Sequence, residues 1–157
     1  METILKNLRH VPWRELQDST GSATGIPLLL ATITSGDEAT AVAALVRLRQ
    51  RICQYGFVVD QATAATVPFL CELAQLPQVP CRVQILQLLK NIADARQWET
   101  TAIAYPKLLN RRENYVEWER EARRAVRAHR GTIKGLLGEP DKELVQAAEE
   151  LASALAD

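Results

Sequence analysis

The sequence predicts an all-α fold, a short right-handed α-solenoid of about four stacked helical hairpins. The stretch GIPLLLATITSGDEATAVAALVRL, which begins at Gly25, recurs in similar form 41 residues later as TVPFLCELAQLPQVPCRVQILQLL, which begins at Thr66. The apolar positions of the two copies coincide: Ile33 with Ala74, Val42 with Val83, Leu45 with Leu86, and Leu48 with Leu89. Aromatic residues make up only 5% of the chain and no long stretch alternates with a period of two, which disfavours a sheet.

We expect the chain to form one domain, residues 1–157, in which each hairpin supplies the core of its neighbours. An N-terminal cap, on which Trp13 and Leu16 pack, precedes the repeats. The predicted limits are 1–24 for the cap and about 25–56, 60–96, 98–130 and 132–157 for the repeats. The third repeat is broken around Asn110 to Asn114, and the fourth ends on an amphipathic helix after a Gly-Glu-Pro-Asp turn.

Each of the first two repeats is predicted as a short helix, a turn and a longer helix. The turn is SGD in the first repeat, with Asp37 as the N-cap of the next helix, and LPQVP in the second. Pro27 and Pro68 suit the first turn of a helix, because the N–H that proline lacks would be unpaired there in any case.

These repeats resemble a bacterial family of HEAT-repeat-domain proteins. The resemblance is carried by WRELQDSTGSATGIPLLLATITSGDEATAVAALVRL and YGFVVDQATAATVPFLCELAQLPQVPCRVQILQLLKNIA, and it runs from about Trp13 to Ala93. It is weaker over Trp118–Leu151, where WEREARRAVRAH and LLGEPDKELVQAA are similar to a later repeat of the family. The resemblance implies a HEAT/armadillo-like α-solenoid with a binding role, and it brings no catalytic motif.

Charge and hydropathy place few constraints on the partner. The 19 basic and 19 acidic residues cancel, so no overall field draws the protein to nucleic acid or to a membrane. Residues 107–134 hold nine Lys/Arg against four Asp/Glu, and residues 135–157 hold one against six, so a basic segment precedes an acidic tail. With no apolar run of 18 residues and no signal peptide, we expect a cytoplasmic protein without a membrane partner.

The three cysteines are Cys53, Cys71 and Cys81. An odd number without a CxxC pair argues against a disulfide framework and against a zinc site, so reduced thiols are expected. Cys81 follows Pro80 at a predicted helix N-terminus, where the helix dipole favours a thiolate. It is therefore either a reactive thiol or a small apolar residue that fills the hairpin turn.

The sequence predicts no enzyme and no cofactor or metal. It lacks a Walker loop and the GxGxxG, HExxH and GxSxG motifs. Of the two histidines, His129 is expected to pack at a helix end, where its partial charge suits the dipole, and His10 indicates little. Glu143, Glu149 and Glu150 are expected to form a solvated face of the last helix.

The run WEREARRAVRAHR places five guanidinium groups on one side of a helical wheel, flanked by Glu117, Glu119 and Glu121. The five residues are Arg120, Arg123, Arg124, Arg127 and Arg130. Arginine in place of lysine throughout favours bidentate binding of carboxylate or phosphate. The alternative is the ordinary solvated side of an amphipathic helix.

A second candidate surface is predicted by the solenoid, in which the second helix of each hairpin lines the concave side. In the second repeat that helix carries polar residues within about 120° of arc, namely Gln84, Gln87, Lys90, Asn91 and Asp94. The 41-residue offset maps three of them onto Val46, Arg49 and Gln50. Together with the arginines, Arg49, Gln50, Gln84, Gln87 and Asn91 are predicted to bind a partner, since amides suit adaptable hydrogen bonding to a protein. The alternative is ordinary surface.

The function predicted from the sequence is that of a non-catalytic protein–protein interaction module. Its most specific form is an immunity or antitoxin protein that blocks a cognate toxin or effector with an acidic surface; the more general form is an adaptor or scaffold. The alternative is binding of nucleic acid or a phosphate ligand through the basic face from Arg120 to Arg130. The sequence identifies neither the partner nor the oligomeric state.

Overall fold

The chain folds mostly into α-helices, as its apolar periodicity predicts. The computed structural model describes residues 7–35, 37–107 and 114–156. Its α-helices are α1 (Ile26–Ser35), α2 (Glu38–Ile52), α3 (Gln61–Ala74), α4 (Arg82–Asp94), α5 (Gln97–Ala104), α6 (Tyr115–Ala128), α7 (Arg130–Gly135) and α8 (Lys142–Ala154). Short 3₁₀ turns occupy Trp13–Glu15, Ala23–Gly25 and Leu136–Gly138. The all-α prediction is confirmed, and the predicted break near Asn110 falls outside the described residues.

Two short antiparallel ladders interrupt the helices. Strands β1 (Gln17–Asp18) and β2 (Gly21–Ser22) pair within the N-terminal segment. Strands β3 (Cys53–Gln54) and β4 (Val58–Val59) pair between α2 and α3, with Cys53 opposite Val59 and Gln54 opposite Val58. Both ladders are local hairpins, so they leave the helical architecture intact.

Aspartate caps begin two of the helices at the predicted places. The Asp37 carboxylate accepts the N–H of Thr40 at 2.8 Å, and this hydrogen bond lowers the pKa of Asp37. Asp141 caps α8 by accepting the N–H groups of Glu143 at 3.0 Å and Leu144 at 3.4 Å. The predicted cap of the first repeat and the predicted turn before the last helix are confirmed.

The predicted position of one proline is wrong. Pro27 lies in the first turn of α1, as expected, but Pro68 lies inside α3, which has 14 residues and is not shorter than the 13-residue α4. The helix begins earlier because Asp60 and Thr63 form a reciprocal capping box, in which the Asp60 N–H donates to Thr63 Oγ1 at 3.0 Å. Pro68 has no N–H to donate to the carbonyl of Ala64, so α3 lacks one hydrogen bond of its ladder.

The helices pack as neighbouring pairs around one continuous apolar core. Helix α1 lies along α2, and α3 lies on α4. Helix α3 makes its broadest contact with α6, while α4 is covered by α3, α6 and α8. The buried residues of both copies, such as Leu48 and Leu89, belong to the same core cluster. Helices α3 and α4 are therefore the centre of the protein, and this explains why α4 has a single exposed face.

The N-terminal segment packs on the core through Trp13, as predicted. The indole is buried, its Nε1–H donates to the Leu8 carbonyl at 2.9 Å, and its ring lies 6.0 Å from that of Phe69 on α3. Leu16 is partly buried against the same core. The segment thus covers one side of α3.

A buried carboxylate ties this segment to the end of α2. Asp18 accepts the N–H of Thr20 at 2.8 Å, its hydroxyl at 2.7 Å, and Nη1 of Arg51 at 3.0 Å. Ser19 adds a hydroxyl donation to the Gln50 carbonyl at 2.5 Å. Because the Asp18 side chain is fully buried, these donors replace the water that would otherwise solvate its carboxylate.

Candidate partner-binding surface

The residues that the helical wheel places on the polar side of α4 are the ones that the structure leaves exposed or half-exposed. Gln84 and Gln87 are exposed, Asn91 is half-buried, and Lys90 pairs with Asp94 at 3.0 Å along the same face. The other side of α4 is closed by apolar residues that contact its neighbouring helices. Of the charges on this face, Lys90 and Asp94 cancel each other, so the face presents mainly amides.

The predicted residues of α2 lie partly on an exposed face. Gln50 is exposed, and Val46, one turn before it, leaves 50% of its surface open to solvent. Arg49 is half-buried, and its Nε, which is buried, has no hydrogen-bond acceptor in the part of the chain that the structure describes. Gln50 therefore presents an amide to a partner, while Arg49 is partly withdrawn into the protein.

The β3–β4 hairpin, which connects α2 to α3 in the chain and contacts α4, was not predicted from the sequence. Strand β3 directly succeeds α2 and also contacts α4. A Cβ placed on Gly56 would lie 3.8 Å from Nδ2 of Asn91, so the tip of the hairpin touches the exposed face of α4. Tyr55 is 79% exposed, Phe57 is 46% exposed, and their ring centroids are 6.2 Å apart. The hairpin therefore adds two aromatic side chains beside the predicted amides.

We use the name aromatic–amide surface for the exposed polar and apolar residues of α2, of the hairpin tip and of α4; the hairpin follows α2 in the chain and touches α4 at Asn91. It consists of Val46, Gln50, Tyr55, Phe57, Gln84, Gln87 and Asn91. The local sequence signal for its turn was the glycine at position 56, and this signal does not predict that Tyr55 and Phe57 are exposed.

The hairpin is anchored at its base and strained at its tip. The Trp98 indole donates to the Val59 carbonyl at 2.9 Å, and its ring stacks on Tyr115 at 4.4 Å. At the tip, Tyr55 has φ of 61° and Gly56 has φ of 84°. Left-handed geometry costs a non-glycine residue about 1 kcal/mol, and Asn or Gly is the usual choice for such a turn. Tyr55 is thus held exposed at an energetic cost.

The predicted arginine face is smaller than the sequence suggests. Arg120, Arg124 and Arg127 are exposed on α6. Two of them lie near one carboxylate: Glu117 accepts from Arg120 at 3.1 Å and from Arg124 at 3.5 Å. Arg124 is nevertheless 66% exposed, so its contact with Glu117 is a weak surface pair.

Arg123 and Arg130 do not belong to that exposed face. Helix α6 ends at Ala128, so the helical wheel does not extend to Arg130, which begins α7 and donates to the Leu155 carbonyl at 2.6 Å. Arg123 donates to the Ala95 carbonyl at 2.8 Å and to Glu99 at 2.9 Å. Grouping these two with the exposed arginines was wrong, because their guanidinium groups hold the fold together.

Glu119 was expected to flank the arginines and instead is fully buried. Its two carboxylate oxygens accept the N–H groups of Trp98 at 2.9 Å and Glu99 at 3.0 Å, which are in the first turn of α5. Arg123 donates to the same carboxylate at 3.3 Å. Helix α5 is thus capped by a side chain from α6, and the i,i+4 spacing of Glu119 and Arg123 was its only sequence signal.

The cysteines are structural. All three are free and buried, and burial raises the pKa of Cys53 and of Cys71 to about 12. Cys81 occupies the N-cap position of α4, yet its side chain is fully buried and burial raises its pKa as well. Of the two alternatives for Cys81, the structure therefore favours an apolar residue that fills the turn over a reactive thiol.

We accordingly expect no thiol to react with Ellman's reagent at pH 8 in the native protein. Raised pKa values keep the thiols protonated at that pH, and burial excludes the reagent. The check is the thiol count before and after addition of urea, with the unfolded chain as the control that all three cysteines can react. A native protein that reacts rapidly at Cys81 would contradict this assignment.

The two histidines lie on one cavity of about 570 Å³ between the N-terminal segment and α3. His129 packs at the end of α6, where its Nδ1 is 2.9 Å from the Ala125 carbonyl, and this confirms its predicted place. His10 and Glu72 also line the cavity, beside the ring of Phe69. Within residues 7–35, 37–107 and 114–156, no group of three His, Cys, Asp or Glu residues could hold a metal ion.

The last helix has the predicted solvated acidic face, on which Glu143, Glu149 and Glu150 are exposed. Among the described helices, none combines the length and apolar character needed to span a bilayer. No protein-family model, no curated protein and no solved structure matches the chain. The contacts and exposures of the chain's own residues are therefore the basis on which a function can be assigned to it.

Proposed function

We propose that this protein is a non-catalytic protein–protein interaction module, a HEAT-like stack of helical hairpins that binds another protein through the aromatic–amide surface. The observation that supports this proposal most is the exposure of Tyr55 and Phe57 at a strained turn, next to Asn91 on α4. The amides of Gln50, Gln84 and Asn91 belong to the set predicted from the sequence to bind a partner.

The fold alone gives no reason for this choice of residues. Backbone geometry would favour Asn at position 55, because Asn tolerates a left-handed backbone. Tyrosine is enriched among the residues that dominate binding energy at protein interfaces, because it buries a large ring and keeps a hydroxyl for hydrogen bonding. Exposed Tyr55 and Phe57 are therefore best explained by contact with a partner.

Charge favours a protein partner over nucleic acid. The aromatic–amide surface offers no unpaired cation from α4, because Lys90 pairs with Asp94. On α6, the three exposed arginines and the Glu117 carboxylate that two of them share leave a net charge of +2, fewer charges than the several phosphate contacts that tight nucleic-acid binding requires. The nucleic-acid alternative is therefore less well supported by the structure than by the sequence, which predicted five guanidinium groups on one exposed face.

An immunity or antitoxin role is the most specific form of the proposal, and an adaptor or scaffold role is its general form. Both would use the same surface. A toxin with an acidic surface would pair with the exposed Arg120, Arg124 and Arg127. These arginines would extend the contact beyond the aromatic–amide surface. Identification of the partner separates these two roles.

The test replaces Tyr55 with Asn and Phe57 with Ser in one variant. We expect the variant to bind its partner about thirtyfold more weakly, since loss of an interface hot spot costs about 2 kcal/mol or more. Its melting temperature should change little, because Asn relieves the left-handed geometry at position 55 while Ser loses the partly buried ring of Phe57. The measurement is a pull-down of the tagged protein from its native cells at two salt concentrations, and then a titration of the identified partner.

A second variant is Arg120→Glu, Arg124→Glu, Arg127→Glu, which changes exposed residues of α6. We expect it to leave binding of an adaptor-type partner unchanged and to weaken binding of an acidic partner mainly at low salt, where the charges are screened least. If the Tyr55/Phe57 variant binds as tightly as the wild type, the aromatic–amide surface is not the interface. If nucleic acid is recovered at low salt and only the arginine variant loses it, the nucleic-acid alternative is correct instead.

A further inference from the structure

A groove of about 710 Å³ runs between the N-terminal segment and the start of α1, away from the residues of the aromatic–amide surface. Its floor is apolar and is formed by Val11, Trp13, Pro27 and Leu28. Leu28 lies on the first turn of α1 and is 72% exposed, so the described residues leave most of its side chain uncovered. The floor therefore offers apolar contact area to a ligand.

The walls of the groove are cationic. Arg9 and Arg14 both line it, and neither makes a side-chain hydrogen bond or an ion pair within the described residues. None of the described lining residues is an aspartate or a glutamate. The N-terminus of α1 adds a partial positive charge beside Pro27. The charges that the described residues present to the groove thus all have the same sign.

We propose that this groove binds a short segment of a partner protein in which bulky apolar side chains stand next to carboxylates. The apolar side chains would cover Leu28 and Pro27, and the carboxylates would accept paired hydrogen bonds from the guanidinium groups of Arg9 and Arg14. Two arginines are too few for a phosphate backbone, and a sugar–phosphate chain would leave the apolar floor uncovered. This proposal is independent of the function assigned to the aromatic–amide surface.

The test uses three fluorescent synthetic peptides of equal length: one of Glu and Leu, one of Glu and Ser, and one of Lys and Leu. We expect the Glu/Leu peptide to bind the full-length protein at least about tenfold more tightly than either of the others. Only this peptide combines carboxylates for the arginines with apolar side chains for the floor of the groove. In an NMR titration, binding should shift the amide signals of Thr24 and Leu28 and the indole N–H signal of Trp13.

Two variants locate the site. Arg9→Glu with Arg14→Glu should weaken the Glu/Leu peptide at least about tenfold, and Leu28→Ser should weaken it without changing net charge. The control is Arg120→Glu with Arg124→Glu, which introduces the same charge change on α6 and should leave the affinity unaltered. All of these side chains are exposed, so circular dichroism should show the wild-type helical content. Equal binding of the three peptides, or an unchanged affinity in the Arg9/Arg14 variant, would overturn the proposal.

Discussion

Replacement of Glu119 with Gln is expected to lower the free energy of unfolding by about 3 kcal/mol. The carboxylate is fully buried and accepts hydrogen bonds from two backbone N–H groups of α5 and from Arg123. Glutamine keeps the shape but places an NH₂ group against these donors and leaves Arg123, which is largely buried, without its buried counter-charge. The measurement is urea unfolding monitored by circular dichroism.

The matched control is Glu121→Gln, two residues further along α6, where the side chain is exposed. This change should alter the free energy of unfolding by less than about 0.5 kcal/mol. A double variant of Glu119→Gln with Arg123→Met should cost less than the sum of the two single changes, because it removes both partners of the buried pair. Equal costs for the Glu119 and Glu121 variants would show that Glu119 does not hold α5.

Replacement of Trp13 with Ala is expected to cost about 3–5 kcal/mol, the usual range for a large buried aromatic. The indole fills the space between the N-terminal segment and α3, with its ring 6.0 Å from that of Phe69. It also satisfies the Leu8 carbonyl through its Nε1–H. Urea unfolding is again the measurement, and Trp98 and Trp118 remain as fluorescent reporters.

Trp13→Phe is the graded control for this prediction. It keeps an aromatic contact with Phe69 and removes the indole hydrogen bond to Leu8, so it should cost less than the alanine variant. If Trp13→Ala costs less than about 1 kcal/mol, the N-terminal segment does not pack stably on α3 and the groove beside Arg9 loses its floor.

The two proposed binding regions use different elements of the fold. The aromatic–amide surface lies on α2, on α4 and on the β3–β4 hairpin. The groove lies on α1 and on the segment that precedes it. The variants that test the two regions change different residues, so each experiment can support or contradict its own proposal independently of the other.

Much of the local structure can be predicted from the sequence alone. The 41-residue repeat predicts the apolar positions of both copies, and residues such as Leu48 and Leu89 are indeed buried. Asp37 caps α2, as its place in the SGD turn predicts, because an N-cap depends only on residues within one turn of the chain. The exposed row of amides on α4 is predicted equally well by a helical wheel.

Only the tertiary structure decided the role of the charged residues of α6. A helical wheel gives the direction of a side chain about its own axis, and it cannot tell which neighbouring element lies in that direction. Glu119 and Arg123 are internal because α5 begins beside them, and Arg130 leaves the exposed face because α6 ends at Ala128.

The sequence by itself therefore determined the helical class, the buried apolar positions and the local caps of this protein, which depend on neighbours along the chain. The tertiary structure alone decided the other features: the burial of Glu119 beside α5, the exposed aromatic tip at Tyr55, and the groove beside Arg14. Each of these depends on how elements far apart in the chain are placed. Periodicity does not encode such contacts, because many arrangements of helices bury the same apolar stripe.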